Sequence, residues 1–119
     1  MEKFSIRKRL KSFTYAGKGI KSFITREHNA WIHSVATVIV IFLGFYFHIS
    51  TSEWAVLCIC IGMVFAAEAF NTAIERLVNL VSPGRNEMAG DVKDIAAGAV
   101  LICAIAAAAA GLLIFIPKL

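Results

Sequence analysis

The sequence has few of the residues that interrupt or cross-link a fold. Its 119 residues include 2 prolines and 3 cysteines, and long stretches carry no charged side chain. Cys58, Cys60 and Cys103 match no disulfide framework or metal-binding pattern, so we interpret them as small apolar packing residues. Neither a Gly-Lys-Ser/Thr phosphate-binding loop nor a Gly-x-Gly-x-x-Gly fingerprint occurs. Nucleotide-binding folds that depend on those motifs are therefore excluded.

Apolar residues are abundant instead. They make up 59% of the chain, above the roughly 45–50% of typical soluble domains. Residues 30–49 and 95–116 contain no Asp, Glu, Lys or Arg. Apolar runs of about 20 residues are long enough to cross a bilayer as helices. We therefore predict an all-α integral membrane protein, a single domain over residues 1–119, with transmembrane helices at 30–49, 54–81 and 93–117.

The N-terminal segment, residues 1–28, is amphipathic and basic. Ile6, Leu10 and Phe13 recur at helical spacing, with lysines on much of the remaining surface. This pattern predicts a helix lying on an anionic membrane surface, the alternative being an ordinary helix with a solvated charged face. Gly17 and Gly19 could break this helix or allow close approach of another group.

Charge asymmetry predicts the orientation in the membrane. Eight of the 12 Lys and Arg residues precede residue 27, whereas the loop at 48–53 has none. By the positive-inside rule, the N-terminus and the second loop face the cytoplasm. No secretory signal peptide is evident, so we expect a multi-pass protein of a bacterial inner (plasma) membrane.

Two features concern helix ends and helix packing. Ser52 follows the first polar loop and could cap the second transmembrane helix. The alanine run at residues 106–110 is typical of a face against which another membrane helix packs closely.

The most informative feature is a polar stripe within the second predicted span. Glu68, Asn71 and Glu75 are spaced by three and four residues, so a helix places them on one side. Carboxylates at membrane depth cost roughly 2.5–3.5 kcal/mol each on insertion scales. A chain that keeps two of them on one face is expected to use them.

Other polar residues flank the spans on the predicted cytoplasmic side. Glu27 precedes the first span, and Lys93 and Asp94 stand at the start of the third. If the helices pack side by side, these groups converge with the stripe, and carboxylates, an amide and a lysine suit a divalent cation and phosphates. Alternatively, Glu75 pairs with Arg76 and Asp94 with Lys93, only to hold helices together.

Two further classes of function stay open on this argument. Intramembrane carboxylates also relay ions in a cation- or proton-coupled membrane transporter subunit. A non-catalytic membrane adaptor would use only the basic N-terminus. The transporter predicts no nucleotide requirement, and the adaptor predicts that replacing Glu68 by Gln has no effect.

Several motifs together resemble the prokaryotic diacylglycerol kinase family. They are EAFNTAIE at residues 68–75, KDIAAGAVL at 93–101, KSF at 11–13 and Tyr15-Ala16. The resemblance extends over essentially the whole chain. It implies a three-span lipid kinase with an N-terminal surface helix, working as a homotrimer with sites shared between subunits.

The family has two substrate branches, which phosphorylate diacylglycerol and undecaprenol. Residues 27–29 (EHN) with His33, residues 97–100 (AGAV) and the ending GLLIFIP at 111–117 are more similar to the undecaprenol branch. The resemblance thus implies transfer of the γ-phosphate of ATP to undecaprenol, giving undecaprenyl phosphate, or to diacylglycerol, giving phosphatidic acid.

The resemblance also implies roles for individual residues. Glu68 would be the catalytic base that deprotonates the lipid hydroxyl, and Glu27 and Glu75 would hold Mg²⁺ on the ATP phosphates. Five further residues would contact ATP and its phosphates, namely Arg9, Tyr15, Asn71, Lys93 and Asp94. Asn29 and His33 would contact the lipid substrate.

One position departs from the family pattern. Asn79 stands where an Asp is usual, which keeps shape and hydrogen bonding but removes a charge. The sequence does not assign roles to His28 and His48, and for His33 a packed, hydrogen-bonded imidazole is the alternative to lipid contact.

Overall fold

The computed structural model describes residues 3–119, which are almost entirely helical. The order is α1 (Ile6–Arg26), α2 (His28–Tyr46), α3 (Thr51–Val81) and α4 (Glu87–Phe115), followed by a 3-10 turn at Ile116–Lys118. By length and composition, α2, α3 and the helical segment Glu87–Lys118 can each cross a membrane. The predicted all-α integral membrane protein with three spanning helices is thus confirmed. Residues 1 and 2 of the predicted surface segment lie outside the described residues.

Polar side chains determine where α3 and α4 begin. The Ser50 hydroxyl accepts a hydrogen bond from the Glu53 amide at 3.2 Å, and the Glu53 carboxylate accepts one from the Ser50 amide at 2.9 Å. This capping box makes Ser50 the N-cap, so the predicted cap at Ser52 is wrong. Asn86 caps α4 through the Ala89 amide at 3.1 Å, which starts that helix before the predicted residue 93.

The end of α3 at Val81 agrees with the predicted one, whereas α1 and α2 differ from their predictions. Gly17 and Gly19 do not interrupt α1, which runs unbroken to Arg26. The chain turns at Glu27, whose backbone is extended (φ −110°, ψ 124°). At its other end α2 stops at Tyr46, before the predicted residue 49, and His48 adopts a left-handed backbone with φ 53° in the turn to α3.

The third helix is the centre of the arrangement. With 31 residues it is roughly 47 Å long at ~1.5 Å per residue, which exceeds a hydrocarbon core of about 30 Å. Helix α4 lies along it, and α2 packs against it less extensively. At one end of the bundle, Ile49, Leu57 and Ile114 form a small buried cluster. Nearby, Lys118 Nζ donates to Glu53 Oε2 at 2.8 Å, which ties the C-terminal turn to the start of α3.

A glycine sets how closely α2 approaches α3. A Cβ atom at Gly44 would lie 2.6 Å from Cη2 of the Trp54 side chain. Real Cβ atoms essentially never come so close, so the indole ring packs here only because residue 44 has no side chain.

An apolar cavity of about 540 Å³ separates α2 from α4. Its α4 wall includes the small residues Ala104, Ala107, Ala108 and Gly111, whereas His33 and Thr37 of α2 form its polar end. Within one chain, part of the alanine-rich stretch therefore lines a cavity, and the close packing predicted from residues 106–110 does not occur against α2.

Candidate active site

The polar stripe predicted on the second span is present on α3. Glu68, Asn71 and Thr72 are the buried polar side chains of the described chain, with 4%, 8% and 7% of their surface exposed. Glu75 lies one helical turn beyond Asn71 and is exposed. Since α3 is a continuous helix here, the spacing of the stripe follows directly from the helical repeat.

Glu68 is paired across the helices. Its Oε1 atom lies 2.9 Å from Nε2 of His33 on α2. The sequence offers no basic residue near Glu68 on its own helix, and a lone buried carboxylate would be costly. The histidine comes from a position 35 residues earlier, so helix periodicity alone could not have revealed this partner.

Only one of the two polar atoms of the Asn71 side chain has a hydrogen-bond partner in the described chain. Its Nδ2 donates to Glu75 Oε1 at 3.4 Å, a long bond for this donor and acceptor. Its buried Oδ1 atom has no hydrogen-bond partner among residues 3–119. Buried polar atoms without partners are uncommon in native structures and point to a missing group. A ligand N–H or O–H directed at this oxygen would supply one.

Glu27 is held by an arginine that the sequence analysis did not place in the site. Arg76 on α3 donates from one guanidinium nitrogen to Glu27 Oε1 at 3.0 Å and from the other to Ser22 Oγ at 3.3 Å. The considered pairing of Arg76 with Glu75 is therefore wrong. Neighbours in sequence point to different sides of a helix, so Arg76 reaches a carboxylate 49 residues away.

Lys93 does not pair with Asp94, the alternative considered from the sequence. Its Nζ donates to Asn79 Oδ1 at 2.6 Å, so the structure links α4 to the end of the stripe and not Lys93 to Asp94. Asn79, the position that departs from the family pattern, thus keeps a hydrogen-bond partner. Asp94 is exposed.

Arg9, Tyr15 and Asn29, the remaining predicted site residues, form no hydrogen bond or ion pair with the stripe among residues 3–119. In α1, the Arg9 guanidinium stands 5.4 Å from the centre of the Phe4 ring, and Lys18 Nζ stands 6.0 Å from that of Tyr15. Tyr15 and Asn29 are exposed. These exposed side chains are available to a ligand.

The chemistry of the stripe fits magnesium bound together with phosphates. Across residues 3–119, no three His, Cys, Asp or Glu side chains gather into a cluster that could hold a metal alone. Mg²⁺ does not need one, because it commonly binds one or two carboxylates and completes its shell with phosphate oxygens and water. Glu75, which accepts a hydrogen bond from the Asn71 amide nitrogen, is a suitable donor for such a site.

Taken together, the fold and the stripe define an integral membrane protein with a carboxylate site on its central helix and an apolar cavity beside it. The sequence pattern of the prokaryotic diacylglycerol kinase family matches residues 14–115, and the chain belongs to this family. The predicted family is confirmed, which makes the chain a lipid kinase and leaves the transporter alternative without support.

Two relatives represent the two substrate branches. An undecaprenol kinase of Bacillus subtilis is 41% identical over 109 residues, covering 92% of this chain and 89% of the relative. A diacylglycerol kinase of Synechocystis sp. is 38% identical over 111 residues, covering 92% of this chain and 63% of the relative. The higher identity and the fuller coverage agree with the predicted undecaprenol branch.

Proposed function

We propose that this protein is an undecaprenol kinase that transfers the γ-phosphate of ATP to the hydroxyl of a membrane lipid, with diacylglycerol as the second candidate acceptor. The observation that carries the proposal is the position of Glu68. Its carboxylate is buried on the central helix, and its partner His33 lines the polar end of an apolar cavity. A lipid with its chain in the cavity and its hydroxyl at the polar end would meet this carboxylate.

In the reaction, the lipid hydroxyl oxygen forms a bond to the γ-phosphorus as the bond between that phosphorus and the β–γ bridging oxygen breaks. Glu68 accepts the hydroxyl proton, which makes the oxygen a better nucleophile. ADP and the lipid monophosphate leave. Phosphoryl transfer depends mainly on positioning and charge stabilisation, so a few well-placed side chains suffice without a soluble kinase fold.

The remaining predicted residues bind and orient the substrates. Glu27 and Glu75 would hold Mg²⁺, whose chemistry is to neutralise phosphate charge. Asn71, Lys93 and Asp94 would orient the phosphates, and Arg9 and Tyr15 of α1 would contact ATP. Asn29 would contact the lipid. The family resemblance implies the same for His33, whose observed partner is Glu68.

The site lies on the cytoplasmic side of a bacterial plasma membrane in this proposal. The support is the basic N-terminal segment, since positively charged residues are retained on that side. ATP is available there as well. We further propose a homotrimer with sites shared between subunits, since Tyr15 is exposed and no hydrogen bond or ion pair among residues 3–119 joins it to the polar stripe on α3.

The test is ATP-dependent phosphorylation of undecaprenol and of diacylglycerol in mixed micelles with Mg²⁺. We expect phosphate on undecaprenol at the higher kcat/KM, and its loss by about 100-fold or more in Glu68→Gln, in line with general-base contributions. Glu53→Gln is the matched control, because Glu53 is on the same helix and can keep its capping role as Gln. Folded wild-type protein without transfer to either lipid would refute the proposal.

A further inference from the structure

We propose that His33 is a positioning residue for the catalytic carboxylate, acting on Glu68 and not on the lipid. The inference rests on the proposed function, because it assigns His33 a role in the same phosphoryl transfer. It differs from the lipid contact that the family resemblance implies for His33.

The geometry of the pair is specific. Nε2 of His33 lies 2.9 Å from Oε1 of Glu68, and the two side chains are 24% and 5% exposed. His33 is the sole hydrogen-bond partner that residues 3–119 provide for this carboxylate. The Oε2 atom therefore remains free to accept a proton from a substrate.

The imidazole ring is itself held in place. The Phe65 ring of α3 meets it edge-on, with the ring centres 6.3 Å apart and the planes at 68°. Phe65 precedes Glu68 by one helical turn, so both side chains that hold the ring lie on the same part of α3. On α2, the Thr37 hydroxyl donates to the His33 carbonyl at 2.7 Å.

The hydrogen bond has a defined direction when Glu68 is ionised. A carboxylate only accepts hydrogen bonds, so Nε2 must carry the proton and donate it. Oε1 is thereby fixed, and Oε2 is the oxygen on which the lipid hydroxyl proton arrives. His33 keeps its own proton throughout this step. Its contribution is to fix the carboxylate and to stabilise the buried charge.

The same histidine lines the polar end of the cavity. A lipid hydroxyl that reaches Glu68 from the cavity passes this ring. Position alone therefore does not distinguish a residue that orients the base from one that binds the lipid, and the experiment has to separate the two.

Substitutions at His33 distinguish the positioning role from lipid binding, because Asn and Gln place their N–H donor at different distances from Glu68. Gln places an amide nitrogen near the imidazole Nε2 position, whereas Asn places it near Nδ1, too short to reach Glu68. We expect His33→Asn to lower kcat about 10- to 100-fold, the range set by a hydrogen bond to a charged group. We expect His33→Gln to stay within about threefold of wild type by the same argument. KM for lipid and for ATP should change little in both variants.

The matched control is His48→Gln, in the turn that follows α2 and outside the proposed site. Helical content by circular dichroism and monodisperse elution in detergent establish that each variant is folded. Because Asn and Gln are both small and polar, a folding defect from lost packing would affect the two alike. A difference between them in kcat then reports the hydrogen bond.

A double-mutant comparison gives a second readout. In Glu68→Asp the shortened carboxylate no longer reaches the His33 ring, so adding His33→Asn should lower kcat little further. If the two residues acted independently, the double variant would show the product of the two single-variant losses in kcat. Three results would each overturn this inference while leaving the proposed function intact. They are losses in kcat that multiply in the double variant, equal losses of kcat in His33→Asn and His33→Gln, and a raised KM for lipid at unchanged kcat. A folded wild-type enzyme inactive on both lipids would overturn the proposed function and this inference with it.

Discussion

Glu68 and Asn71 are buried polar side chains on the same helix face, but they differ in whether their oxygen atoms have hydrogen-bond partners. Glu68 meets the His33 ring, whereas the Oδ1 atom of Asn71 meets no donor in the described chain. An unsatisfied buried acceptor costs about 1–3 kcal/mol. A fold that retains such an atom sacrifices stability for function, which is common where a ligand completes the hydrogen bonding.

This contrast gives a prediction for Asn71. Replacing it by Leu, which is similar in size, removes the unpartnered oxygen, so Asn71→Leu should raise the thermal unfolding midpoint or leave it unchanged. The same variant should lose at least about 90% of the activity, as the amide no longer orients the phosphates. Thermal unfolding in micelles, measured beside Thr72→Val, checks this. A large drop in stability would mean that the oxygen is satisfied in the assembled protein.

Asn79 provides a second prediction. Its Oδ1 already accepts from Lys93 at 2.6 Å, so Asn79→Asp keeps the contact and adds a negative charge. An ion pair at such an exposed site contributes only about 0–1 kcal/mol. We expect kcat/KM for ATP within about threefold of wild type, measured over a range of Mg²⁺ concentrations. A much larger gain would show that the missing carboxylate limits this enzyme.

At the scale of helices, α3 serves as the common partner of the other elements. Gly44 lets the Trp54 ring of α3 approach α2, and Arg76 of α3 holds both Ser22 of α1 and Glu27. The positions of α1 and α2 relative to the stripe thus depend on a few contacts and not on an extensive core.

The glycine contact makes the first prediction at this scale. Gly44→Ala places a methyl group 2.6 Å from the Trp54 ring, and overpacking of this kind costs about 1–3 kcal/mol. We expect a lower unfolding midpoint in micelles. Gly62→Ala is the control, since nothing lies within 4 Å of its Cβ position, and it should leave the midpoint unchanged or higher. Equal effects of the two substitutions would contradict the role of the close approach.

The contacts of Arg76 give the second prediction at the scale of helices. Removing its guanidinium in Arg76→Ala should free the end of α1 and the Glu27 junction, which raises amide hydrogen exchange in residues 20–27 and raises KM for ATP. The side chain is half exposed, at 47%, so overall stability should fall by no more than about 1 kcal/mol. Arg85→Ala, in the loop between α3 and α4, is the control. Unchanged exchange in α1 would show that other contacts dock this helix.

At the scale of the whole molecule, one chain leaves much of its apolar surface uncovered. In the apolar windows of α2, α3 and the helical segment Glu87–Lys118, 11%, 28% and 6% of the residues are buried. The lipid bilayer accounts for apolar exposure, but it does not satisfy the Asn71 oxygen. In the proposed homotrimer, a neighbouring subunit would be a second source of polar partners for the stripe, beside the substrates.

The proposed homotrimer leads to a prediction about assembly. Light scattering of the detergent-solubilised protein should give the mass of three chains, and dilution into a detergent that separates them should abolish lipid phosphorylation. The physical reason is that, among residues 3–119, no hydrogen bond or ion pair joins Arg9 or Tyr15 of α1 to the stripe within one chain. An active monomer would contradict shared sites while leaving the lipid-kinase proposal intact.

How far the sequence predicts the site can be judged from Glu68, Asn71 and Glu75. Their common face follows from spacing alone, because a helix repeats every 3.6 residues. The partners His33 and Arg76 could not be predicted in the same way, since helix periodicity says nothing about which residues of another helix lie opposite. The first residue of α3 depended on the glutamate three residues after Ser50, a pattern that was available in the sequence and was missed.

The sequence by itself determined the helical membrane fold, the polar stripe and the family, because these depend on apolar length, helical repeat and local motifs. Tertiary structure alone decided that Glu68 pairs with His33, that Arg76 holds Glu27 and that a cavity separates α2 from α4. Those contacts join residues far apart in the chain, and their geometry is set by how the helices pack against α3.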